Sequence, residues 1–447
     1  MARPSSLKKQ APESVRIDSV SHDGRGIATV GGKKVFVADV VRGEEVRIVR
    51  RKRRRSYDEA ELLEVLQPAA ARRVPRCAVF GVCGGCALQH VAPEEQRAIK
   101  ENALRDNLQR IGGLEPQRWL PATANEQEAG SWNYRRRARL AVKDVPAKGR
   151  VLVGFRERNA PLVADMRRCE ILEPPIDGLI DPLSELIGRL TIRNRLPQIE
   201  VAVADNAVEL ILRVLDPPSQ VDRQLLRRFA EEHRLRLSLQ SGGLDAIEPL
   251  YPVLPDATLN YDLPDFDVRL EFAAADFIQV NRQVNRGMVS QVVDLLQAGA
   301  ESRVLDLYCG IGNFSLPLAR RSARVLGVEG EERQVQRARS NAALNGIDRC
   351  EFLSADLAAL SGHEAWLRAG WDRVLLDPPR SGAAELVGHL KMIAAPRLVY
   401  VSCHPGTLAR DAGRLVREQG YVLEAAGIVD MFPHTAHVES IAVFSKT

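Results

Sequence analysis

Two hydrophobic periods divide the chain. From Val304 onward, short apolar runs recur at Val304–Tyr308, Ala323–Val328, Glu351–Leu353, Val374–Leu376 and Leu398–Val401. Helical patterns separate them, such as Glu331–Leu344, which closes at Asn345-Gly346. Short continuous apolar runs predict strands buried on both faces. Their alternation with helices predicts a doubly wound, mostly parallel α/β sheet. Tyr421–Ile428 and Ser440–Phe444 predict a closing pair of strands. The front of the chain has period two instead: Val15/Ile17, Ile27/Thr29, Val35/Val37 and Val46/Ile48 alternate with polar neighbours between glycines. Short, evenly spaced strands of this kind predict an OB-like β-barrel over about Ser14 to Leu66.

Between these regions lie a Pro- and Ala-bearing linker (Gln67–Pro75) and a cysteine-rich loop (Cys77–Cys86). A helix is predicted over Pro93–Ile111, with Pro93 in the first turn, Glu94 and Glu95 at its positive end and Gly112-Gly113 as its stop. Short strands with one or two helices follow from Trp119 to Leu270. The expected organisation is a barrel over 1–68, a central α+β domain over 69–270 and a C-terminal α/β domain over 271–447. The 93–112 helix is a candidate to pack on the last of these.

Charge sharpens this division. Residues 1–150 hold 30 Lys and Arg against 18 Asp and Glu, and the remainder 33 against 40, so the front is basic (+12) and the back acidic (−7). A basic front suggests a polyanionic partner. Six consecutive cations, Arg50–Arg55, read as a phosphate-contacting patch or as a solubilising run. Arg135, Arg136, Arg137 and Arg139 beside Trp132 and Tyr134 suit stacked bases and phosphates, and suit an amphipathic strand edge as well. Met1–Gln10 shows no apolar signal segment, no run is long enough to span a membrane, and seven cysteines in 447 residues are not a disulfide scaffold. A reducing, cytoplasmic setting is expected.

The candidate chemistry gathers at predicted strand ends. Asp306-Leu-Tyr-Cys-Gly310-Ile-Gly312-Asn313 is a strand, a glycine turn and a helix start. Its acid suits a cationic or hydroxyl-bearing ligand such as S-adenosylmethionine better than a pyrophosphate, and the G-x-G-x-x-G spacing of a dinucleotide site is not met. Glu329, Asp356 and Asp377 end the next strands in turn, where a doubly wound sheet binds its ligand. Cys403 follows the fifth strand and opens onto the same crevice. The helix beginning at Pro405 is expected to lower its pKa. Glu439 starts the last strand, preceded by His434 and His437. A buried inert thiol at Cys403, or zinc on the two histidines, are the alternatives. Cys77, Cys83 and Cys86, with distant Cys169, form a four-cysteine set that fits an iron–sulfur cluster or structural zinc, a transient disulfide being a further possibility. Cys309 and Cys350 read as core.

DLYCGIGNF, Phe277-Ile-Gln-Val-Asn281, Asp377-Pro-Pro-Arg380, Ser402-Cys403 and HTAHVE resemble, in order, the motifs of the RNA uracil-5 methyltransferase family. The resemblance implies a Rossmann-like methyltransferase domain using S-adenosylmethionine. It implies that Cys403 adds to carbon 6 of uracil and that Glu439 removes the carbon-5 proton. Gln279, Tyr308, Glu329 and Asp377 would contact the methyl donor, with Asn313 and Asp356. The spacing of Cys77, Cys83, Cys86 and Cys169 is similar to a branch of the family that carries a [4Fe–4S] cluster, and the barrel resembles a TRAM domain. That order of parts implies 23S ribosomal RNA as substrate. The same reaction on tRNA, and a non-catalytic iron–sulfur RNA-binding or redox-sensing protein, are the alternatives; a DNA cytosine-5 methyltransferase carries its cysteine elsewhere in the fold. One departure stands out: His404 occupies a position usually held by Asn, which leaves the hydrogen bonding beside the nucleophile open.

Overall fold

The computed structural model describes residues 11–125, 128–254 and 258–446. Met1–Gln10, where the sequence shows no signal segment, lies outside them. The front strands form a six-stranded sheet in the order Glu13–Arg16, Glu45–Arg53, Tyr57–Gln67, Lys33–Val37, Gly26–Val30, Ser19–Val20. It folds around Ile17, Ala28, Val35, Val37, Val46 and Ile48. The alternating apolar positions supply this core, as the period of two requires. Gly26 sits where an added Cβ would clash with the Val40 side chain, so only glycine lets the strand pass so close.

A second six-stranded sheet is built from Arg137–Val145, Arg150–Gly154, Gln198–Val203, Val208–Arg213, Arg236–Gln240 and Ile247–Tyr251. The Ile180–Arg189 and Gln220–Glu232 helices pack on it. The second of these starts at a capping box, Ser219 with Asp222.

The third sheet has eight strands, here numbered in chain order: β1 Arg118–Trp119, β2 Arg303–Leu307, β3 Arg324–Glu329, β4 Cys350–Ser354, β5 Arg373–Leu376, β6 Arg397–Ser402, β7 Val422–Val429 and β8 Glu439–Ser445. Their order across the sheet is β4-β3-β2-β5-β6-β8-β7-β1. The first five in that order are parallel, and β8 runs antiparallel to β6 and β7. Alternate residues feed two cores: Val304, Val325, Leu375 and Val399 on one face, Leu305, Leu326, Leu376 and Leu398 on the other. The near-continuous apolar runs of the sequence are the signature of that two-sided burial.

Two features of this sheet come from the front of the chain. Helix α1 (Pro93–Asn107) packs on β7 and on helix α2 (Pro405–Gln419). Its continuous helical reading to Ile111 is altered in one respect: from Leu108 to Gly112 the turn widens to π geometry before Gly113 takes a left-handed cap. Second, β1 pairs in parallel with β7 and forms the edge of the sheet.

Both basic clusters are more committed than the sequence suggests. Arg50 pairs with Glu13 and Asp58, Arg51 with Glu61 and Lys52 with Glu59, while Arg54 and Arg55 are exposed. Arg136 is buried, donating to the Val203 carbonyl and lying over the Tyr261 ring. Arg137 donates to the Ala274 carbonyl, and Tyr134 is buried with its hydroxyl donating to Pro433 O at 3.0 Å. These side chains bind protein, so a stacked-base reading does not fit Tyr134, Arg136 or Arg137.

Candidate active site

The carboxyl ends of β2 to β6 open onto a cavity of about 700 Å³, a size suited to a cofactor-scale ligand. Gln279, Tyr308, Asn313, Glu329, Asp356, Asp377, Cys403 and Glu439 all line it. Tyr308, Glu329, Asp356, Asp377 and Cys403 are placed by the same logic. Parallel strands end at one rim, so the residues following them meet there although they are far apart in sequence.

Cys403 and Glu439 meet by register. Ser402 is paired with Ser440 across the antiparallel β6–β8 ladder. The next residue along each strand, Cys403 on one and Glu439 on the other, therefore stands at the same rim. Burial pushes the Glu439 carboxyl well above its ordinary range, and Asp377 adds to this. Burial pushes the Cys403 thiol up to about 11, with further contributions from Glu439 and Asp377. The expectation that the following helix lowers this pKa is overturned. Desolvation and two neighbouring carboxylates raise it, against a smaller lowering by Arg380. Asp377 is itself pushed up to about 7 by burial and by Glu329.

His404 resolves the question beside the nucleophile. It is the N-cap of α2, and its Nδ1 accepts from Thr407 N at 3.2 Å. Asn is a preferred capping residue, and here an imidazole nitrogen performs the same task.

The remaining predicted ligand contacts differ in how free they are. Glu329 accepts from the Gly310, Gly330 and Glu331 amides, which fixes it at the cavity wall. Asp356 is exposed and accepts from Ala358 N. Asn313 exchanges hydrogen bonds with Asn285 and accepts from the Tyr261 hydroxyl, so its amide is largely engaged by protein. Tyr308 has φ +65°, the left-handed region that a bulky residue rarely adopts. Asp306, read from the sequence as facing a ligand, is instead fully buried, takes a hydrogen bond from Ser315, and is pushed up to about 7 by burial.

Sequence reasoning passed over Arg380 and His437 as site residues. Both line the cavity, and both also line a second one, of about 430 Å³, that meets the first at Cys403. His22 and Asp23 of the front sheet and Gly84, Gly85 and Ala87 of the cysteine loop line this second cavity. The signal was present, since Arg380 closes the Asp-Pro-Pro-Arg run and His437 lies two residues before Glu439. His434 is not at the site: it is buried, and burial lowers its pKa to about 4.

Cys77, Cys83, Cys86 and Cys169 line one small cavity with Phe80, Phe155 and Met166, and all four are free thiols. Burial, with neighbouring thiols adding to it, pushes Cys86 and Cys169 up to about 12. Among the described residues no group of three or more His, Cys, Asp or Glu side chains is disposed to hold a metal ion, at the four cysteines or at the two histidines near Glu439.

A family model described as tRNA (Uracil-5-)-methyltransferase matches residues 258–447. Two curated relatives are named 23S rRNA (uracil(1939)-C(5))-methyltransferase RlmD. The one from Alkalilimnicola ehrlichii is 49% identical, over 97% of each chain. The one from Xanthomonas axonopodis pv. citri is 46% identical, over 100% of each. In fold the chain is similar to the Pyrococcus abyssi tRNA (uracil-54, C5)-methyltransferase, solved in complex with S-adenosyl-L-homocysteine (TM-score 0.73, 24% identity, 97% of this chain and 100% of that one). Similarity at this level along the whole length places the chain in the RNA uracil-5 methyltransferase family.

Proposed function

We propose that this protein is an S-adenosylmethionine-dependent methyltransferase that converts one uridine of 23S ribosomal RNA to 5-methyluridine. The observation that carries the chemistry is the meeting of Cys403 and Glu439 at one rim of a cofactor-sized cavity. Carbon 5 of uracil is a poor nucleophile. The Cys403 thiolate bonds to carbon 6 and pushes its electron pair toward carbon 5. The methyl donor, when bound, supplies an electrophilic methyl group to that carbon. Glu439 then takes the carbon-5 proton, and the C6–S bond breaks to restore the ring and the thiolate. Gln279, Tyr308, Asn313, Glu329, Asp356 and Asp377 would form the donor's side of the cavity.

The choice of 23S rRNA over tRNA rests on the full-length similarity to the two curated relatives, which includes the front sheet and the cysteine loop. We read the front sheet as a TRAM-like RNA-binding module. Cys77, Cys83, Cys86 and Cys169 would hold a [4Fe–4S] cluster. Four thiols around one cavity, Cys83 and Cys169 buried and Cys77 and Cys86 half-buried, fit such a group, because ligation keeps them as thiolates that burial alone disfavours. Iron and acid-labile sulfide in near-equal amounts after anaerobic purification would support this; a cysteine site that binds zinc alone would replace it.

The test of the reaction is methylation of 23S rRNA and tRNA transcripts with labelled donor, mapping the product nucleotide. Cys403→Ala is expected to lower turnover roughly 10⁴-fold or more while RNA binding persists. Glu439→Gln is expected to lower it about 10²–10⁴-fold. Product on tRNA alone would overturn the substrate, and turnover by Cys403→Ala would overturn the nucleophile.

A further inference from the structure

Glu439 is the first residue of β8, and the connection that delivers it, Asp430–Val438, is gripped by parts of the chain remote in sequence. His434 is the centre of that grip. It is buried and has φ +64°. Such a conformation in a non-glycine residue persists only where the surroundings over-determine it, and it clusters at functional sites.

The surroundings here are unusually complete. Gln96 of α1, 2% exposed, accepts from His434 N at 2.8 Å through Oε1, and its Nε2 lies 3.2 Å from His434 Nδ1. The same Nε2 donates to Leu88 O and Val91 O, at 3.0 and 2.8 Å. The His434 carbonyl accepts from both Ala87 N and Leu88 N, the two amides that directly follow Cys86. Trp132 stacks on its ring at 3.8 Å. Flanking contacts repeat the theme: Tyr134 holds Pro433 O, and buried Lys100 donates to Asp430 and to Phe432 O.

We infer that Gln96 is a positioning residue for the proton-abstraction step: by tying the segment after the cysteine loop to His434, it sets the seat of Glu439. This rests on the reading of Glu439 as the base. The distinctive consequence is a selective defect. Cys403 is delivered by the end of β6, whereas Glu439 is delivered by the Asp430–Val438 connection, which also walls the cavity beside Cys403 through His437. Loosening the connection therefore slows departure of the methylated adduct far more than its formation.

The experiment uses the full-length protein, saturating donor and a 23S rRNA transcript. Three variants are compared: Gln96→Leu, Tyr134→Phe (which keeps volume and removes one bond) and Glu439→Gln. Denaturant-stable protein–RNA adduct is followed on gels. Adduct formation alone is timed on a transcript containing 5-fluorouridine, whose carbon-5 fluorine cannot leave as a proton. The expected result is that all three variants accumulate adduct on ordinary RNA. Gln96→Leu should resolve it about 10- to 100-fold slower than the parent, Tyr134→Phe several-fold slower, and each should form the fluorinated adduct within about twofold of the parent rate. Adduct accumulation by Glu439→Gln alone, with Gln96→Leu and Tyr134→Phe resolving at the parent rate or losing formation and resolution equally, overturns the inference and leaves the base in place. Failure of Glu439→Gln to accumulate adduct removes the base, and the inference with it.

Discussion

Cys403 and Glu439 are both needed in their deprotonated forms, and both are held toward their protonated forms by burial. The sign of the pH dependence follows. Lowering the pH adds protons to the two groups that must lack them, so methyl transfer should rise continuously from pH 6 to 9. A single-turnover profile already flat at pH 6 would contradict this. The positive charge of a bound sulfonium opposes the same shifts, because a nearby cation favours anions. Asp306 gives a second residue-scale prediction. Its folded pKa, about 7, exceeds the ordinary carboxylate value, so its contribution to stability is fully present below about pH 4 and is lost as pH rises through 7. Asp306→Asn keeps an acceptor for Ser315 and cannot ionise. The variant should lose less stability than the parent between pH 5 and 8, by up to about 3 kcal/mol. Parallel denaturation curves at the two pH values check it. The sequence marked Asp306 as special but not why, since an acid in a glycine motif reads the same whether it faces a ligand or supports the turn.

At the scale of elements, what was legible depended on period. Strand ends were legible, because an apolar run followed by an acid or a cysteine locates the rim of a parallel sheet. Glu329, Asp356, Asp377 and Cys403 accordingly line one cavity. Pairing partners were not legible. Arg136 and Arg137 suited bases and phosphates as well as an amphipathic strand edge, and the structure has them donating to the Val203 and Ala274 carbonyls. The π turn at Leu108–Gly112 has no counterpart in the helical pattern either. The six-cation run shows the same effect in part, since the Glu45–Arg53 strand places most of it opposite acids of its neighbour. Arg54 and Arg55, exposed beyond the strand end, are the members best placed for phosphate. Replacing both with Ala should weaken binding of the rRNA transcript and reduce the slope of log affinity against log salt by about 1–2. An unchanged slope would assign the run to solubility.

At the scale of the whole molecule, two sheets and the cysteine loop meet beside Cys403. The cavity that adjoins Cys403 is walled by the front sheet, the cysteine loop and the α/β sheet together. The domain division expected from composition describes the sheets better than it describes the site. Residues 258–447 alone, the span of the family match, lack both α1 and β1. Expressed alone, that span should aggregate or lose cooperative unfolding, because it exposes the apolar surface that α1 covers. A soluble fragment with a sharp thermal transition would show that the sheet does not need its borrowed elements.

That borrowing sets a timetable for synthesis. Ala103, Leu104 and Leu108 of the first helix and its π turn belong to the same core as Leu423 and Phe444, so a nascent chain displays this greasy stripe until its final strands have left the ribosome. Until those strands emerge the stripe has no home, and apolar surface exposed in this way is what makes a partly made chain prone to aggregate.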